Sequence, residues 1–179
     1  MRLIIVCLFC CILISCDFIG SFNRHTSNIL QCSFMIPSGF KLDKEESVSG
    51  TPTVYLLKND KTMIITIHRH IGDKPVTDEN LNIVAASFIL PDLGITDPYD
   101  IGKVVKLYGN RQVSGRKAAW FDYPDEAHGY LKYQVFVAGE ENFLYQVSFT
   151  IVPQENFNAS KDDELQKTIT SFLDGFKIM

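Results

Sequence analysis

The chain has 179 residues, 17 basic against 21 acidic, and a formal net charge of −4. That balance argues against nucleic acid or an anionic lipid surface as a partner recruited by bulk charge. The length fits one domain behind a short N-terminal segment, and a domain near 150 residues buries roughly 68–70% of its unfolded surface, enough for an ordinary core.

Arg2 supplies a minimal positive region, residues 3–14 form an unbroken apolar run, and the small residue Ser15 closes it. This is the order of a secretory signal. Leu13-Ile14-Ser15-Cys16 matches the bacterial lipobox of an aliphatic, a small or branched, a small residue and Cys. The cysteine follows the cut because its thiolate attacks a lipid donor to form a thioether. A spanning helix needs roughly 20 apolar residues, and this run meets Ser15 and Asp17 too early. An ordinary cleaved signal with Cys16 as a bystander is the other alternative. The expectation is a signal peptide over 1–15 and lipidation at Cys16. Two or three acyl chains then anchor stably, each buried methylene contributing ~0.8 kcal/mol. Asp17 acts as an inner-membrane retention signal in some two-membrane bacteria but not in all, so the choice of membrane stays open.

Losing Arg2 leaves 16 basic against 21 acidic residues, near −5. Cleavage also removes Cys7, Cys10 and Cys11, and Cys16 is consumed by lipid, so Cys32 alone remains and no intramolecular disulfide is possible. Its apolar, strand-like context predicts a buried, inert thiol.

Residues 16–29 are short and mixed and are expected to be a lipidated tether reaching roughly 40 Å when extended; Phe18, Ile19 and Phe22 offer an alternative contact with the lipid interface. The domain is expected over 30–179. Residues 29–36 alternate as a half-buried strand, with Leu30, Cys32, Phe34 and Ile36 inward. Short strands at 54–57 and 62–68 flank an Asn59-Asp60-Lys61 turn. Thr77 or Asp78 caps a helix whose stripe is Leu81, Val84, Ala85 and Phe88, ended by Pro91 and Gly94. Strands follow at 103–113, 117–123, 130–137 and 143–151, with turns at Ser114-Gly115 and 139–142. Ser160-Lys161-Asp162-Asp163 starts a second helix carrying Leu165, Ile169, Phe172, Leu173 and Phe176, with Gly175 where it should stop. The class is α+β, an antiparallel sheet flanked by a central and a C-terminal helix.

The opening Phe34-Met35-Ile36-Pro37-Ser38-Gly39-Phe40 resembles the apolar-x-I-P-x-G-aromatic start of the PsbP-like/Mog-type α/β/α sandwich family. The middle helix, the segment from Ser114 to Tyr123, the Tyr-rich hairpin and the closing Ile169-Thr170-Ser171-Phe172 resemble the same plan, from Leu30 to Phe176. The family's roles include an extrinsic photosystem II subunit, Ran-GTPase binding, DcrB-type envelope proteins and Eag-type chaperones of type VI effectors. The resemblance implies binding or assembly without catalysis. The lipobox departs from the photosystem, Ran-binding and cytoplasmic members, and fold alone does not restore their functions.

Among chemistry-bearing residues, His68 and His70 lie two apart on a strand and point to one side, as a transition-metal pair would. Two polar residues at a strand end is the competing reading, since spacing supplies no third ligand. Asp122, Asp125, Glu126 and His128 crowd one loop around Pro124. A divalent cation is conceivable there, but the EF-hand spacing is absent and a solvated acidic loop is the simpler reading. Ser49-Gly50 and Ser114-Gly115 lack the G-x-S-x-G elbow, and no Walker loop, H-E-x-x-H or mature C-x-x-C occurs. The expectation is therefore a non-enzymatic envelope lipoprotein that needs no cofactor. It contacts the membrane through its acyl chains and an envelope protein through Tyr123, Tyr130 and Phe136. The alternative is a metal- or small-ligand-binding module at His68/His70 or the 122–128 loop.

Overall fold

A computed structural model describes residues 23–97, 106–107, 111–153 and 163–179. The expected signal segment, Cys16, residues 17–22, most of the expected 103–113 strand and the expected Ser160 helix start lie outside them. Among the described residues, no helix is long and apolar enough to cross a membrane.

The fold begins inside the expected tether. β1 (Arg24–Ser27) pairs with β2 (Cys32–Met35), so the tether boundary at residue 29 is corrected. The polar sequence of β1 gives no alternation to read. It is held instead by pairing and by Ser27, fully buried, whose hydroxyl donates to Glu45 Oε1 at 2.6 Å and accepts from the Leu30 amide at 3.1 Å.

β3 (Phe40–Val48), absent from the sequence reading, forms a hairpin with β4 (Thr51–Lys58). Among the described residues no strand pairs with its outer side, and Lys41, Asp43, Lys44, Glu45 and Glu46 make it a charged edge, which discourages further strand addition. Ser49 and Gly50 form the two-residue turn with φ of 50° and 83°. Positive φ at both positions suits the right-handed strand twist. Ser114-Gly115, with φ of 55° and 73°, repeats the device.

β5 (Met63–Ile71) is followed by α1 (Leu81–Leu93), then β6 (Lys106–Leu107), β7 (Gln112–Val113), β8 (Arg116–Asp125), β9 (Tyr130–Ala138) and β10 (Phe143–Ile151). α2 (Asp163–Gly175) and β11 (Lys177–Ile178) close the chain. The large sheet runs β3-β4-β5-β10-β9-β8-β6, with β7 also on β8, and β1-β2-β11 form a small one. Every pairing is antiparallel. The architecture is α+β, a mostly antiparallel sheet with two helices.

Two hydrophobic clusters use opposite alternation of the same strands. Leu165, Ile169, Phe172, Leu173 and Phe176 pack with Cys32, Phe34, Ile65, Ile67, Trp120, Val135, Val147 and Phe149. Leu81, Ala85, Ala86 and Ile89 of α1 pack with Ala119, Phe121, Tyr123, Phe136 and Leu144. The α2 stripe matches expectation because its other positions are polar. The α1 stripe differs: Ala86 and Ile89 are buried while Phe88 is exposed. That helix is apolar around most of its circumference, so packing rather than periodicity selects the buried face. Its start also moves. Leu81 opens the helix, and Asn80 Oδ1 accepts from the Thr77 amide at 2.8 Å in place of a Thr77 or Asp78 cap. Pro91 is accommodated within the last turn, and Gly94 ends the helix in the left-handed region.

Candidate functional site

Antiparallel register places His68 of β5 opposite Gln146 of β10, Gln146 opposite Phe136 of β9, and Gln134 of β9 opposite Phe121 of β8. Directly paired residues share a face, so His68, His70, Gln146, Gln134 and Tyr123 stand on the α1 side. A hydrogen-bonded chain steps diagonally across four strands. His70 Nε2 meets Gln146 Oε1 at 2.7 Å, Gln146 Nε2 donates to Gln134 Oε1 at 2.6 Å, and Gln134 Nε2 donates to the Tyr123 hydroxyl at 2.6 Å. Tyr123 then donates to Asp92 Oδ2 of α1 at 2.9 Å. Lys132 Nζ bridges Asp92 at 2.9 Å and Asp125 at 2.8 Å, and Asp125 meets His128 Nδ1 at 3.0 Å.

The chain has a direction. An ionised carboxylate only accepts, so the Tyr123 hydrogen goes to Asp92 and its oxygen accepts from an amide N–H. That orients Gln134, which orients Gln146, which requires a proton on His70 Nε2. Bonds aligned in one sense polarise each other. His68 is set separately: Thr53 gives its hydroxyl hydrogen to the Thr51 carbonyl, so His68 Nδ1 donates to Thr53 Oγ1 at 2.9 Å.

Burial, reinforced by His70, lowers the His68 pKa to about 4. Burial also lowers that of His70, against the opposing hydrogen bond to Gln146. Both imidazoles are neutral at pH 7. Burial pushes the Tyr123 phenol far up, aided by the Asp92 charge. Hydrogen bonds from Lys132 and His128 pull Asp125 down to about 2. Burial works against the Lys132 charge, but its bonds to Asp125 and Asp92 outweigh it and raise its pKa. At neutral pH the phenol keeps its proton and Lys132 is a hydrogen-bonded ammonium; neither is poised as a nucleophile.

Several expected site residues are relocated. Tyr123 and Phe136 are 1% and 0% exposed, covered in the α1 cluster, and cannot form a contact surface; Tyr130 is 37% exposed. The reason is that β8 and β9 are buried on both faces, which alternation in a single strand does not reveal. In the loop group, Asp125 and His128 come together, Glu126 is exposed, and Asp122 alternates onto the opposite face of β8. The His68 and His70 rings lie 5.7 Å apart. Among the described residues, no three His, Cys, Asp or Glu side chains converge on a metal position. Zinc titration of the wild type and of a His68→Ala/His70→Ala variant is therefore expected to give equal affinity; a weaker variant would restore the pair as ligands. Cys32 is fully buried, and burial with the Glu45 charge raises its pKa to about 12.

Asp92, Lys132, Gln134 and Gln146 escaped the sequence reading. The available signal was Gln134 and Gln146 sitting beside Phe136 and Leu144, on a strand face too apolar to be solvated.

No family model matches the chain, and no curated protein matches it. Among solved structures it is similar to a protein of Bacteroides thetaiotaomicron VPI-5482, at 12% identity and a TM-score of 0.52, over 87% of this chain and 48% of the other. The chain thus spans about half the length of that structure, and at this identity the likeness is one of fold. A looser likeness, with a TM-score of 0.38 and 12% identity over 90% of this chain and 87% of the other, is to LpqN of Mycobacterium tuberculosis, a protein involved in cell envelope biogenesis.

Proposed function

We propose that this chain is a bacterial envelope lipoprotein, lipidated at Cys16, whose sandwich domain of the PsbP-like/Mog-type plan binds an envelope protein and assists assembly without catalysis. The observation that carries the reading is Leu13-Ile14-Ser15-Cys16 at the end of an apolar run. With β1 starting at Arg24, the link from Cys16 to Asn23 reaches roughly 23 Å, which holds the domain near the bilayer.

The contact surface is redrawn on the α1-side face. Ile64, Phe88 and Tyr130, each 37% exposed, flank the polar chain there. The Phe88 ring lies tilted against His70 with centroids 4.4 Å apart, and Tyr130 stacks with His128 at 6.0 Å. Half-exposed apolar groups beside the accessible ends of the chain, His70 and His128, suit a protein partner.

The test is affinity purification from gently solubilised membranes, with mass spectrometry of the bait's own N-terminus. An acylated Cys16 is expected, together with a stoichiometric partner that is lost in Cys16→Ala and reduced in Ile64→Ser/Phe88→Ser/Tyr130→Ser at an unchanged melting temperature. An unmodified or differently cut N-terminus overturns the anchoring. Undiminished recovery with the triple variant overturns the surface.

A further inference from the structure

A separate cavity of about 300 Å³ lies on the other face of the sheet, lined by Gln31, Arg69, Glu140, Glu141, Phe143, Tyr145, Ile178 and Met179. Its floor follows from register: Arg69 of β5 is opposite Tyr145 of β10, and Phe143 opposite Ile71. One wall is β11, held by the Ile178 amide on Ser114 Oγ at 3.1 Å and the Met179 amide on the Gln31 carbonyl at 3.0 Å. The opposite wall is the turn between β9 and β10, braced by Arg116, which donates to the Gly139 carbonyl at 2.9 Å.

Arg69 is the charge on the floor. Its Nη1 donates to Gln31 Oε1 and its guanidinium lies 4.6 Å from the centre of the Phe143 ring. The neighbouring Tyr145 hydroxyl donates to the carbonyls of Leu30 and Gln31, and its oxygen stands as an acceptor toward Arg69. Among the described residues no carboxylate is within ion-pair distance of Arg69, which leaves its positive charge at the cavity without a counter-ion. Across the cavity, Glu140 is occupied by Arg116 at 3.4 Å, while Glu141 stands exposed on the turn.

We infer that this cavity binds a small zwitterion of the amino-acid or dipeptide type, its carboxylate on Arg69, its ammonium toward Glu141 and its apolar part against Phe143 and Ile178. A simple anion would take the guanidinium but meet the exposed Glu141 carboxylate on the rim. A simple cation would leave the Arg69 charge opposed. The volume is at the small end for ligand sites. The inference is independent of the lipid anchor and of the α1-side surface.

The test uses the ¹⁵N-labelled full-length chain in detergent micelles. It is titrated with each of the twenty L-amino acids and with L-alanyl-L-alanine to millimolar concentration. At least one is expected to shift the amides of Gln31, Arg69 and Phe143. Arg69→Gln is expected to weaken that ligand by about tenfold to a hundredfold, as loss of a charge-assisted contact does. Glu141→Gln, on an exposed turn and safe for folding, is expected to weaken the zwitterion but leave its deaminated acid analogue unaffected. Absence of any shift overturns the site. Unchanged binding in Glu141→Gln, or a deaminated analogue that binds the wild type as tightly as its parent, overturns the zwitterion assignment.

Discussion

Gln134→Glu is expected to destabilise the domain by roughly 3 kcal/mol or more at pH 7, although the two side chains have nearly the same shape. Gln134 is 4% exposed and sits at the middle of the chain, accepting from Gln146 and donating to Tyr123. The substitution replaces that donor with an acceptor. The Tyr123 hydrogen cannot turn to meet it without abandoning Asp92. A charge is then buried against an oxygen that has nothing to offer. Gln134→Leu removes the same bonds without adding charge and is expected to cost about 1–2 kcal/mol. The pH dependence supplies the sign. Protonating the introduced carboxylate restores a donor, so the gap between variant and wild type is expected to narrow as pH falls from 8 to 5. Urea unfolding at each pH reads both quantities. A variant within 1 kcal/mol of wild type at pH 7, or a gap that widens on acidification, would mean that the chain does not run toward Asp92.

Acidification is expected to destabilise the wild type in two separate windows. His68 in the folded state has its pKa lowered to about 4, from an ordinary value of 6.5, and that of His70 is lowered as well. Between those values the unfolded chain binds more protons, so stability rises with pH there. Above the unfolded value there is no penalty. As pH falls toward 4 the penalty grows, reaching about 2–3 kcal/mol for His68 after allowance for its partial exposure. Asp125 acts lower down. Its pKa is held near 2 by Lys132 and His128, so its contribution is present above its ordinary value of 3.8 and is lost as pH falls through 2. His68→Gln keeps a donor for Thr53 and cannot titrate. It is expected to shrink the upper window to the part that His70 contributes and leave the lower one intact. Melting temperatures across pH 2–8 decide this, and an unchanged upper window in His68→Gln would assign the acid sensitivity to other groups.

How well an element was legible followed from how many of its faces are buried. β10 and α2 each present one clear apolar repeat, so their inward residues, Tyr145, Val147 and Phe149, and Leu165, Ile169 and Phe172, were readable. β3 carries mostly charge because it is an edge, and β1 is short and polar because pairing and the Ser27 hydrogen bonds hold it; neither leaves a periodic mark. β8 and β9 feed both clusters, so Tyr123 and Phe136 lie inside and not on the expected contact surface.

The candidate site divides the same way. His68 and His70 were visible as a pair two residues apart on one strand, and Asp125 with His128 as a local group. Their connection was not. It passes through Gln146, Gln134, Tyr123 and Lys132 on three further strands and Asp92 on a helix.

Taken alone, the amino-acid order determined what depends on neighbours along the chain: the apolar run that ends in Leu13-Ile14-Ser15-Cys16, the tight turns at Ser114-Gly115 and around Asp60, and the α+β class. Tertiary structure decided what depends on register and layer. It chose the face of α1 that packs, the strand partners of β3, and the direction of a hydrogen-bonded chain spanning residues 70 to 146. It also placed the Arg69 charge on the floor of a cavity walled by the last residues of the chain. Strand pairing joins residues by cross-strand position, and a shift of one residue would reverse every face. That information resides in the sum of all pairings and not in any one segment.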